Sequence, residues 1–71
     1  MPPRNIVLEF AEHNVAEQAA RVSRQETLIA GLRRDGLPTD KAEETLARMC
    51  NILDRLRDAV ARLRSNPHAA T

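Results

Sequence analysis

Asp35-Gly36-Leu37-Pro38-Thr39-Asp40 stands between two long stretches that hold no internal proline and a single glycine, Gly31. Gly36 suits the left-handed residue that follows a helix C-cap, and Leu37 then falls where a Schellman motif places its apolar contact with Leu32. Pro38 forbids continuation of the first helix. Thr39 or Asp40 can cap a second helix, and Asp40 with Glu43 has the spacing of a capping box. At the other end of the first stretch, Pro2 and Pro3 suit an entering turn and Asn5 is a candidate N-cap. Asn66-Pro67 ends the second stretch. The 71 residues therefore read as one domain, with a helix over about 5–35, a loop over 36–39, a helix over about 40–65 and a tail over 66–71.

Ala42, Leu46, Met49, Leu53, Leu56, Val60 and Leu63 alternate steps of four and three, a heptad seam that no strand can produce. The first helix carries the same rhythm through Leu8, Ala11, Val15, Gln18, Val22, Gln25, Ile29 and Leu32. Folding the chain at Gly36 sets Leu32 opposite Ala42, Ile29 opposite Leu46, Gln25 opposite Met49, Val22 opposite Leu53, Gln18 opposite Leu56, Val15 opposite Val60 and Ala11 opposite Leu63. Paired residue numbers sum to 74 or 75 at every layer. An antiparallel hairpin requires that constancy, because each step forward on one helix is a step back on the other. Charge agrees: residues 1–20 carry a net −2, 21–35 +2, 36–47 −2 and 48–71 +3, so folding back lays opposite signs side by side.

Composition narrows the function classes. The chain is 42% hydrophobic, but its sole aromatic residue is Phe10, which excludes a core built on aromatic rings. Eleven basic and ten acidic residues leave a net charge of +1, so polyanion binding would have to rest on a local patch. Cys50 has no intrachain disulfide partner, and Met1-Pro2-Pro3-Arg4-Asn5 has neither the basic segment nor the apolar run of an export signal. No apolar run is long enough to span a membrane, and a cytoplasmic setting is expected. Lys41 is the only lysine beside ten arginines, a bias expected of a GC-rich bacterial genome.

Catalytic and ligand-binding signals are sparse. Glu9, His13 and Glu17 share one helix face at i, i+4 spacing, a pattern that reads as a solvated charged face rather than a metal site. Cys50 lacks a CxxC partner and Arg57, a full heptad away, is too distant to activate it, and there is no phosphate-binding glycine loop. No enzyme activity, cofactor or metal is expected.

Assembly is better signalled. Two helices leave each seam residue open on one side, and Leu28, Cys50, Ile52 and Ala59 add apolar material beside the seam. Ile6, Val7 and Leu8 overhang the shorter second helix. The expectation is an all-α antiparallel two-helix hairpin that dimerises into a four-helix bundle, with Leu28, Ile52, Ala59, Ile6, Val7 and Leu8 at the interface. Ala16, Ala20, Ser23, Thr27 and Ala30 form a small-residue stripe that reads as ordinary helix surface. Gln18 and Gln25, one heptad apart on the seam, are expected to specify register or oligomeric state. Arg48, Arg55 and Arg62 share one column and supply the alternative reading, a nucleic-acid-binding hairpin. Asp54 and Asp58 interrupt that surface and no aromatic residue interleaves with it, which favours a solvated or partner-facing role.

The residues Val15-Ala16-Glu17, Val22, Arg24-Gln25, Leu28-Ile29, Leu32-Arg33, Asp35-Gly36, Thr39 and Ala42-Glu43 through Leu46 resemble a group of small uncharacterised helical-hairpin proteins of alphaproteobacteria such as rhizobia. The similarity runs from about Asn14 to Leu63, and departs at Asp54-Arg55 and Asp58, where similar proteins tend to carry His and Arg. It implies a helical hairpin in a cytoplasmic bacterial setting and no reaction. In architecture the chain is also similar to the Rop hairpin, whose dimer is an RNA-binding four-helix bundle; shared fold is analogy only. Together these readings anticipate a non-enzymatic protein that acts through self-association and protein–protein interaction.

Overall fold

The computed structural model describes residues 5–65. Pro2 and Pro3, the Asn66-Pro67 terminator, His68 and the tail lie outside the described residues. Within them the chain forms two α-helices, α1 (Ile6–Arg34) and α2 (Asp40–Ser65), which pack against each other in a rod 54 Å long and 19 by 12 Å across.

Each helix end has a local cause. Asn5 adopts an extended backbone, and its side-chain oxygen accepts from the amide of Leu8 at 3.0 Å, satisfying one of the amides that the first turn leaves without a helical partner. At the other end of α1, Gly36 sits at φ 70°, the Leu37 amide donates to the Leu32 carbonyl at 2.9 Å, and the Gly36 amide donates to the Arg33 carbonyl at 3.1 Å. These are the two bonds of a Schellman motif, and they turn the chain out of α1. Leu37 itself remains 52% exposed, so the apolar half of the motif is only partly realised.

The start of α2 differs from the capping-box expectation. The Thr39 carbonyl accepts from the Glu43 amide at 2.8 Å, which makes Thr39 the cap and places Asp40 inside the helix. The Thr39 hydroxyl donates to the Glu43 carboxylate at 3.3 Å.

Antiparallel packing brings Arg33 to Glu43 near the loop and Arg64 to Glu12 at the far end, both as direct ion pairs. Val15 and Val60 line one shallow depression between the helices, and Ile29 and Leu46 line another. All fifteen seam residues are buried or half-buried. Only Ile29, Leu53 and Val60 among the apolar ones are buried, at 4–7% exposure. They belong to one side of the seam, where the two helices lie closest to enclosing a core.

The two glycines offer a paired test. A Cβ added at Gly31 meets only the flexible end of Arg34 at 3.7 Å, whereas Gly36 needs its positive φ and has open space around it. Gly31→Ala is expected to raise the unfolding free energy by about 1 kcal/mol through helix propensity, and Gly36→Ala to lower it by about 1 kcal/mol through backbone strain. Urea unfolding at fixed chain concentration measures both, and equal signs would contradict the Schellman assignment.

Candidate interaction surface

The seam of each helix has two columns. On α1 they are Leu8-Val15-Val22-Ile29 and Ala11-Gln18-Gln25-Leu32; on α2 they are Leu46-Leu53-Val60 and Ala42-Met49-Leu56-Leu63. The first-named columns are aliphatic throughout and contain the three buried apolar residues. Both glutamines occupy the second.

Gln18 is 6% exposed, and its Nε2 donates to the main-chain carbonyl of Met49 at 3.1 Å. Gln25 is half-buried and donates in the same way to the carbonyl of Ala42 at 2.9 Å. Donors and acceptors are each one heptad apart, so a single geometry is used twice along the antiparallel pair. A helical carbonyl has a second lone pair beyond its bond to the amide four residues on, so neither glutamine breaks a helical bond. Register alone sets the amides opposite Leu56 and Met49; the bonds instead reach carbonyls seven residues nearer the loop. Seven residues are about 10.5 Å along a helix axis, farther than a glutamine side chain and a carbonyl reach between neighbouring helices, so the helices are offset from the expected layers and the amides do not sit opposite Leu56 and Met49. Among the described residues no fully buried side-chain nitrogen or oxygen lacks a partner.

The flanks beside these columns are chemically different. Beside the aliphatic columns run Glu12, Ala19, Glu26 and Arg33 on α1 and Glu43, Cys50, Arg57 and Arg64 on α2. The ion pairs Arg33–Glu43 and Arg64–Glu12 bridge this edge, which is the closed flank. Side chains of both pairs are 40–65% exposed, so each contributes about 0.2–1 kcal/mol, in line with other exposed pairs.

Beside the glutamine columns run Val7, Asn14, Arg21 and Leu28 on α1 and Thr45, Ile52 and Ala59 on α2. Here Phe10, Asn14, Glu17, Gln18, Arg21, Ile52 and Leu56 line a common depression across the helices. Val7, Leu28 and Ile52 are about half exposed and Phe10 is 66% exposed, making this the open flank. Ile6, one turn before Phe10, is 73% exposed at its outer edge; Leu8 and Ala59 are half-buried. Cys50, which its place beside the seam groups with Ile52 and Ala59, falls on the closed flank as a half-buried free thiol. Residues two apart on a helix point about 200° apart, which separates Cys50 from Ile52.

The remaining candidates are on the surface. Arg48, Arg55 and Arg62 are exposed along the outer edge of the open flank, and Arg48 is bound by Glu44 one turn away at 2.7 Å. His13 faces Glu17 at 3.5 Å with both side chains well exposed. The small-residue stripe is exposed throughout, and the Thr27 hydroxyl donates to the Ser23 carbonyl at 3.1 Å within its own helix. Among the described residues no cluster of three His, Cys, Asp or Glu could hold a metal ion, and no helix is long and apolar enough to cross a membrane. Comparison with protein-family models, curated proteins and solved structures finds no match to this chain.

Replacing both glutamines with leucine removes two amide–carbonyl bonds without orphaning either carbonyl, and adds apolar contact on the seam. The Gln18→Leu, Gln25→Leu variant is expected to unfold at a higher temperature and to populate additional oligomers or registers. Thermal unfolding and light scattering read the two effects. A less stable variant would show that the amide pairs stabilise the hairpin outright.

Proposed function

We propose that this chain is a non-enzymatic interaction module that completes its half-covered core by taking up further helices along the open flank. The carrying observation is the contrast between three buried apolar residues and the line of Val7, Phe10, Leu28 and Ile52 left at about half exposure or more on one edge. Apolar area removed from water stabilises by about 25 cal/mol per Å², so covering that line is the largest gain left to the molecule. Two copies joined flank to flank would form a homodimeric four-helix bundle and cover it; helices of another protein would do the same. A cytoplasmic setting goes with this reading.

Nucleic-acid binding is the second reading, favoured by the exposed column of Arg48, Arg55 and Arg62. The column runs directly beside Ile52 and Ala59, however, and phosphates make no use of an apolar stripe. The open flank as a whole therefore supports protein association ahead of phosphate binding.

Sedimentation equilibrium at micromolar concentration tests the proposal. The chain is expected to exceed its monomer mass of 7.9 kDa. Ile52→Asp and Leu28→Asp, both at exposed positions, should leave the helical content intact and weaken association about tenfold or more, while Ala16→Asp on the other side should not. A stable monomer, or equal sensitivity on both sides, would overturn it.

A further inference from the structure

The net charge of +1 conceals an uneven distribution. Arg21, Arg24, Lys41, Arg48, Arg55 and Arg62 lie along the open flank and outnumber the carboxylates on and beside it, Glu17, Asp58 and Glu44, the last bound to Arg48 at 2.7 Å. The closed flank and its outer edge carry the reverse excess, with Glu9, Glu12, Glu26, Glu43 and Asp54 against Arg33, Arg57 and Arg64. The exposed apolar stripe is thus bordered by cations on both helices.

We propose that the occupant matched to this flank is an acidic amphipathic helix of another protein, with an apolar stripe over Phe10, Leu28 and Ile52 and carboxylates facing the arginines. This rests on the reading of the open flank as a docking surface and specifies its partner. A second copy fits the stripe but not the charge: flank to flank, each cationic edge meets another, and the excess of Arg21, Arg24, Lys41, Arg55 and Arg62 over the carboxylates left by the Arg48–Glu44 pair is doubled. An acidic helix fits both features. From Phe10 to Leu28 the flank runs about 27 Å at 1.5 Å per residue, the length of a helix of about 18 residues. Self-association is then the weaker state of the chain, and the acidic helix displaces it.

The two occupants respond to salt with opposite sign. Screening relieves repulsion between like flanks, so the homodimer should tighten between about 50 and about 500 mM NaCl, whereas an acidic helix should bind several-fold more weakly. The probes are labelled synthetic helices of about 20 residues with a leucine stripe, flanked by Glu in one and by Lys in the other. Fluorescence anisotropy follows binding and sedimentation follows dimer dissociation. The Glu-flanked probe is expected to bind at least about tenfold more tightly than the Lys-flanked one, to dissociate the dimer, and to lose about tenfold in affinity with either Ile52→Asp or the Arg48→Ala, Arg55→Ala, Arg62→Ala variant. Circular dichroism confirms that each variant is folded.

Equal binding of both probes would overturn the charge-matched partner. A dimer that salt weakens and the Glu-flanked probe cannot open would make the second copy the occupant, overturning this inference while leaving the proposed function standing. A monomer that binds neither probe would overturn both. Duplex RNA bound through the arginines and indifferent to Ile52→Asp would assign the flank to phosphates and overturn it as well.

Discussion

Two helices laid side by side cannot surround a core. Each seam residue is covered by its own helix and by one neighbour, and a third direction stays open unless something else closes it. In this hairpin the closed flank is bridged at both ends by ion pairs, and the apolar columns next to it contain Ile29, Leu53 and Val60, the only buried apolar side chains among the described residues. Among the described residues no ion pair bridges the open flank. Its inner column instead carries two glutamines whose amides are held by the main chain of the facing helix.

Those amides reconcile polarity with burial. A glutamine on a half-covered seam must keep its hydrogen bonds whether or not another helix arrives, since a buried unsatisfied amide costs about 1–3 kcal/mol. Donating to Met49 and Ala42 carbonyls meets that demand within the hairpin itself, so the flank needs no partner to satisfy it. Using the same geometry twice, one heptad apart, also ties the register of α2 to that of α1. A slip of one residue would misplace both bonds together.

Much of the fold was legible because the signals were local or periodic. Asn5 caps α1, Gly36 takes the left-handed conformation, and a heptad seam on each stretch implies two helices folded together. Thr39 rather than Asp40 caps α2 because both residue types cap well and sequence alone does not rank them. The glutamine acceptors were not legible, since the sums of 74 and 75 put those carbonyls about 10.5 Å away along the helix axis, and the heptad pattern fixes which faces meet without fixing the axial offset between the helices. Asymmetry between the flanks was present in the heptad columns, yet it emerges only when residues beside the seam are sorted by side. Unsorted, Cys50 joins Ile52 and Ala59, and the basic edge disappears into a net charge near zero.

The central claim is that this seam is completed by another chain. Thermal unfolding measured across a hundredfold range of chain concentration addresses it most directly, because only a fold coupled to association responds to concentration. A hundredfold rise adds about 2.7 kcal/mol to the stability of a dimer, which for two chains of this size moves the midpoint by roughly 10 °C. The account predicts an upward shift of that order. A midpoint that stays constant from the lowest concentration to the highest would contradict it, and would mean that three buried apolar residues, two amide pairs and the closed flank suffice for a hairpin that stands alone.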